Sequence, residues 1–266
     1  MVGRLVGSIR HPCQNPASPA DINAGATHSD PSRGSVVGMF AIAAAVSLSL
    51  VLPPLPYDLR DTEALRATHF VSEHANWLIP GRVMQGRHPG SGRGSALGRI
   101  SKLRAEGVGT FVCLQAEVPP QYGSVSLGGT RVEPLPGLEP YAEDALAAKP
   151  EEPPTFVHFG IEDMKPADDI VALRGLVYSL VDRVRAGEVL YVHCWGGKGR
   201  AGLVCACLLA CLYDIGAEEA LTRVQVYVSL RNQGLGATLK SPETEEQKQQ
   251  VRDFIRLSRA SDCVEE

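Results

Sequence analysis

Residues 193–202, HCWGGKGRAG, place a cysteine, a lysine and an arginine among glycines in ten positions. Gly196, Gly197 and Gly199 permit backbone angles that turn successive N–H groups inward, which makes an anion-sized nest. A helix beginning near Ala201 would add the positive end of its dipole, so a phosphate or sulfate fits. A nucleotide-binding Walker loop does not, because Lys198 is followed by Gly199 and position 192 is Val. What stands instead is Cys-x5-Arg, opened by Cys194 and closed by Arg200. Inward N–H groups, a helix N-terminus and a guanidinium all favour the thiolate of such a cysteine. Arg200 can offer two parallel N–H donors to the equatorial oxygens of a planar phosphoryl group. An isolated cysteine in such a turn would read as ordinary core packing; its company of His193, three glycines and Arg200 argues for a nucleophile with an oxyanion clamp. Backbone from Trp195 to Gly199 and the Lys198 side chain are the candidate phosphate cradle.

The elements that must position this loop alternate between strand and helix patterns. NWLIPGRVMQG (76–86) reads as a first strand, SALGRISKLRAEG (95–107) as a helix with Leu97, Ile100 and Leu103 on one face, and GTFVCLQ (109–115) as a buried strand. The stretch 118–152, rich in Pro, Gly and Glu, reads as a long surface loop or insertion. TFVHFGI (155–161) is another strand, and DDIVALRGLVYSLVDRVRAG (168–187) carries a helical apolar stripe closed by Gly187. EVLYV (188–192) leads into the glycine turn, followed by a wholly apolar helix (203–213) and a further helix (218–231). This order implies an α/β fold: a mainly parallel central sheet flanked by helices, with the Cys-x5-Arg phosphate-binding loop between a central strand and a buried helix. Open α/β sheets bind ligands at that place.

At 266 residues and 44% hydrophobic content, the chain can bury a sizeable core. A net charge of -4 with no long basic stretch argues against nucleic-acid binding. The seven cysteines lack a disulfide-framework spacing and favour a reducing compartment. Residues 1–34 read as a disordered extension. Residues 35–55 form an apolar segment whose centre, VVGMFAIAAAVSLSLVL (36–52), is 17 residues without a charge. It admits three readings: a short membrane anchor, the apolar part of a targeting or signal segment, or a core helix. Localisation is open, with a cytoplasm-facing catalytic domain favoured.

His193, Cys194, Gly197, Gly199, Arg200 and Gly202 match the motif His-Cys-x-x-Gly-x-Gly-Arg-Ser/Thr-Gly. In these residues the sequence resembles the cysteine-dependent protein tyrosine phosphatase superfamily, in particular its dual-specificity branch. The resemblance runs over about residues 76–257 and implies a catalytic domain at 68–258, followed by a flexible tail at 259–266. It implies hydrolysis of phosphotyrosine, with phosphoserine or phosphothreonine as further substrates, through a cysteinyl-phosphate and with no metal or cofactor. Asp163, 31 residues before Cys194, stands where the family keeps its general acid. Glu162, Asp168 and Asp169 are neighbours, and a solvated acidic loop with Asp168 as helix cap is the alternative. Gln247 loosely resembles the family's water-orienting glutamine, and a solvated helical glutamine fits its position equally well. Ala201 departs from the motif. The family hydroxyl there bonds the cysteine sulfur, and its loss implies slower release of the intermediate.

Lys198 beside the phosphate would suit a phosphoinositide or inositol phosphate; pointing to solvent, it would suit neither substrate in particular. The expected partner is a phosphorylated protein, with a phosphoinositide substrate and a phosphate-binding pseudophosphatase as the alternatives. The chain is expected to be monomeric, with membrane association only through 36–52. Cys205, Cys207 and Cys211 read as core packing rather than a metal cluster, His158 as strand surface, and His193 as a hydrogen-bonding support of the loop.

Overall fold

The computed structural model describes residues 51–90, 96–121, 123–135, 140–231 and 239–262. The extension 1–34, residues 35–50 of the apolar segment and residues 263–266 lie outside the described residues. No helix among the described residues is long and apolar enough to cross a membrane.

Seven strands form one sheet in the order β1-β2-β3-β7-β4-β6-β5. β1 (Phe70–Ser72), β2 (Ala75–Ile79) and β3 (Val83–Arg87) pair antiparallel; from β3 onward, β7 (Leu190–Cys194), β4 (Thr110–Gln115), β6 (Thr155–Ile161) and β5 (Val125–Gly129) run parallel. The strand expected at 76–86 is therefore a hairpin. Pro80 fixes its own φ, and Gly81 at φ 68 supplies the positive angle the turn needs, closed by Arg82 N–H donating to the Ile79 carbonyl at 2.9 Å.

The sheet separates two apolar clusters. On one face pack α4 (Ile170–Arg185), α5 (Gly199–Tyr213), α6 (Ala217–Ser229) and α7 (Glu245–Asp262); on the other, α2 (Ala96–Ala105) and α3 (Ala142–Ala147) cover Phe111, Phe156 and Tyr191. A helix N-terminal to the first expected strand, α1 (Thr62–His69), joins the first cluster through Leu65. Helix α5 is buried around its whole circumference from Gly199 to Ala210, which is why its sequence is apolar without periodicity. Cys205 and Cys207 are core residues of that helix, and the cysteines among the described residues are free thiols. Leu97 departs from its expected face: it is exposed, while Ile100 and Leu103 are buried.

The segment 118–152 is more than a surface loop. It contributes the edge strand β5, paired with β6, and the helix α3, whose preceding Tyr141 is buried. Two glycines and a serine among five mostly exposed residues of β5 hid the strand, because an edge strand with one half-covered side shows little apolar alternation. His158 is also buried rather than on a strand surface, and its Nε2 lies 3.1 Å from both the Gln115 and the Val118 carbonyls.

Candidate active site

β7 is buried along its length between β3 and β4, and delivers Cys194 to the C-terminal edge of the sheet in register with Arg87 of β3. Successive side chains on a strand alternate faces. His193 thus turns away from Cys194 into the α2–α3 side, where its Nε2 lies 2.6 Å from the Tyr141 hydroxyl. Burial pushes the His193 imidazole well below its ordinary pKa, with the charge of His88 adding to the effect. The histidine is a neutral hydrogen-bonding group beneath the loop.

The loop carbonyls are tied outward. Trp195 O accepts from His88 N–H at 3.2 Å; Gly197 O accepts from Gln85 Nε2 and from Arg231, each at 3.0 Å; Lys198 O accepts from the Ser241 hydroxyl at 2.8 Å. Carbonyls held this way leave the opposite, N–H side of the loop for an anion. Of the three glycines, only Gly197 has a positive φ, 68°, and a Cβ there would strike the backbone of Gly86 and Arg87. Gly199 serves differently: a side chain there would press on Glu243 and Gln247. The helix α5 starts at Gly199, two residues earlier than Ala201.

Arg200 is 1% exposed, and both terminal nitrogens of its guanidinium are engaged while the buried Nε has no partner among the described residues. It donates to both oxygens of Glu117 at 2.6 and 2.9 Å and to the Ile161 carbonyl at 3.0 Å, and it pairs with Asp163 at 2.9 Å. Burial alone would raise the Glu117 carboxyl, but the hydrogen bonds and charge of Arg200 outweigh it and hold the group below the ordinary range. The reciprocal effect raises Arg200 despite its burial. The ion pair fixes the plane of the guanidinium, and Asp163, which Arg200 also binds, lines a cleft of about 620 Å³ together with Cys194, Trp195 and Lys198.

Asp163 follows β6 on an exposed loop, 66% accessible at its side chain, next to Met164 with φ 61. Of the neighbouring acids, Asp169 rather than Asp168 caps α4, accepting from Val171 N–H at 2.7 Å, while Asp168 accepts from the Thr130 hydroxyl. Gln247 is not a solvated helical glutamine: it is fully buried, accepts from Glu243 N–H at 3.0 Å and donates to the Lys165 carbonyl at 3.1 Å. Lys198 neither points to solvent nor stands free beside the loop; it pairs with Glu243 at 2.7 Å. The Trp195 side chain, 45% exposed, forms a lip of the cleft, leaving only its backbone to the loop.

Two charged residues of this arrangement escaped the sequence. Glu117 had only its place, an acid just after a wholly buried strand, as a signal. Arg231, just past α6, is buried and binds Asn76, Gln85 and Gly197, so its three partners hold the loop's outer side; burial lowers it to about 10, which leaves it cationic at neutral pH. Among the described residues, no group of histidine, cysteine and carboxylate side chains is arranged to hold a metal ion.

A family profile described as "Swiss Army Knife protein, DSP-PTPase phosphatase domain" matches residues 72–260, more than two thirds of the chain. Among curated proteins, "Putative tyrosine phosphatase 067L" of Invertebrate iridescent virus 3 is 36% identical over 81 residues, 29% of this chain and 34% of that protein. "Putative tyrosine phosphatase 197R" of Invertebrate iridescent virus 6 is 33% identical over 69 residues, 25% of this chain and 26% of that protein. The matches span about a third or less of these relatives' length. Among solved structures, Tk-PTP in its active form is 21% identical with a TM-score of 0.46, covering 69% of this chain and 97% of that one. PTPMT1 in complex with PI(5)P is 15% identical with a TM-score of 0.45, covering 68% and 95%.

Proposed function

The chain belongs to the Swiss Army Knife family of DSP-PTPase phosphatase domains, and from that membership we propose that it hydrolyses phosphate monoesters on proteins, phosphotyrosine first, through Cys194. The observation that carries this reading is the buried Arg200, clamped by Glu117 and paired with Asp163, which lines the cleft beside Cys194. The Cys194 sulfur attacks phosphorus as the bond to the leaving oxygen breaks, while Asp163 gives that oxygen its proton. Arg200 and the loop N–H groups hold the equatorial oxygens through the trigonal transition state. Asp163, now a carboxylate, takes a proton from water as the water oxygen attacks the cysteinyl-phosphate; phosphate leaves and the thiolate returns. His193 supports the loop through Tyr141 and takes no proton in this sequence. Gln247 serves by fixing the segment between the acid loop and the glycine loop, and the cradle is the backbone of residues 195–199.

Lys198, engaged with Glu243, lends less support to a phosphoinositide substrate than an unpaired lysine would. Ala201, buried in the first turn of α5, is the feature that favours a binding protein without turnover. Phosphate release by residues 51–266 from a phosphotyrosine peptide, a phosphothreonine peptide and a phosphoinositide tests all three, with Cys194→Ser alongside. Release from the phosphotyrosine peptide that Cys194→Ser abolishes is the expected result. Preference for the phosphoinositide would replace the substrate assignment, and retained phosphopeptide binding without release from any of them would overturn catalysis.

A further inference from the structure

A second cavity of about 520 Å³ lies beside the catalytic cleft, between the β1–β2 hairpin, the end of β3 and one edge of α2. His74 and Arg87 line both cavities, so the two share a wall. Arg87 ends β3 in register with Cys194, and neighbouring strands lie only about 4.8 Å apart. The cations of the second cavity are Arg87, Arg99 and Lys102, set against the single carboxylate of Glu106. In a chain of net charge -4 this is a local concentration of positive charge. Arg99 Nε donates to the Pro89 carbonyl at 3.0 Å, which fixes that side chain at the cavity edge. No carboxylate pairs with the Arg87 guanidinium among the described residues. His74, Arg87 and Arg99 all line this cavity, and after burial itself the charges of the two arginines are what lower the His74 imidazole. Leu103 and Tyr191 supply an apolar floor that no anion would need and a substrate backbone or ring could cover.

We infer that this cavity is a specificity subsite for a second phosphoryl group on the same substrate, held by Arg87, Arg99 and Lys102 while the first phosphate sits on the 194–200 loop. The inference rests on the proposed phosphatase function. Guanidinium and ammonium groups at a half-open cavity bind an extra phosphate through charge-assisted hydrogen bonds that salt weakens. That chemistry is common to a doubly phosphorylated peptide and to an inositol bisphosphate, and the two are separate arms of the test.

Affinities are measured by calorimetry on full-length Cys194→Ser protein, for a phosphotyrosine peptide against its doubly phosphorylated counterpart and for inositol monophosphate against inositol bisphosphate. Binding of the second phosphoryl group is expected to tighten one pair by about tenfold, with the advantage lost in Arg87→Gln and reduced several-fold in Lys102→Gln. Lys102 is exposed, so its replacement leaves the core intact. Equal affinities within both pairs, or an advantage that survives both substitutions, would overturn the subsite. Because binding is read without turnover, absence of Cys194-dependent release in the wild type would count against the proposed catalysis alone.

Discussion

Arg200 is held in one orientation by the fold itself: both Glu117 oxygens accept from it, with the two side chains almost wholly buried. Removing one partner of a buried pair leaves a desolvated charge, so Glu117→Gln should cost on the order of 3 kcal/mol of stability as well as activity. The carboxyl is depressed in the folded state, so its contribution is present above the unfolded value of 4.5 and is lost as pH falls below it. Urea unfolding at pH 7 and pH 4 should therefore show a smaller acid loss in Glu117→Gln than in the wild type. Ala201 is the second residue with a clear consequence. On the proposed route, a hydroxyl introduced by Ala201→Ser donates to the departing Cys194 thiolate in the second step, and a hydrogen bond worth about 0.5–1.5 kcal/mol should speed turnover roughly two- to tenfold. Pre-steady-state phosphate release is the measurement, with a faster phase after the first turnover expected. Cys194 and Arg200 stand together in the sequence because one loop holds both, whereas Glu117 lies 83 residues from Arg200 and meets it only across the sheet.

At the level of elements, the loop carrying Asp163 is fastened to α7 by two glutamines. Gln247 donates to the Lys165 carbonyl, and Gln250 both accepts from Ala167 N–H at 2.8 Å and donates to the Ala167 carbonyl at 2.6 Å, as a neighbouring strand would. Gln250→Ala should leave Cys194 chemistry intact but let the acid loop drift. Rates should fall about tenfold or more on phosphotyrosine, whose leaving oxygen needs a proton, and little on an aryl phosphate with an acidic phenol. Equal losses on both would mean that the glutamine supports only the fold. The hairpin β2–β3 and the edge strand β5 were not resolved by sequence periodicity, since a proline-glycine turn inside an apolar run and a half-exposed edge both blur the alternation that marks a strand.

Across the whole molecule, the fold buries several imidazoles in neutral form. His69 is 1% exposed, stacks on Tyr227 at 4.2 Å and is lowered by burial to about 4. A folded value below the unfolded one gives stability that is full above about pH 6.5 and lost as pH falls toward 4, up to about 3 kcal/mol for this one group. The thermal midpoint should fall on acidification over that window, and His69→Phe should flatten the fall; an equally steep curve in the variant would assign the loss to other groups. The sequence by itself determined the alternation of strands and helices, the glycine-rich loop that holds Cys194 and Arg200, and the acidic segment 31 residues upstream, because each is written in neighbouring positions or in a repeat period. Only the tertiary structure decided which acid clamps Arg200, that Lys198 spends its charge on Glu243, that Gln247 is buried, and that Arg87 stands level with Cys194. Those facts join residues far apart in the chain, and they follow from strand order and helix docking, which no local pattern encodes.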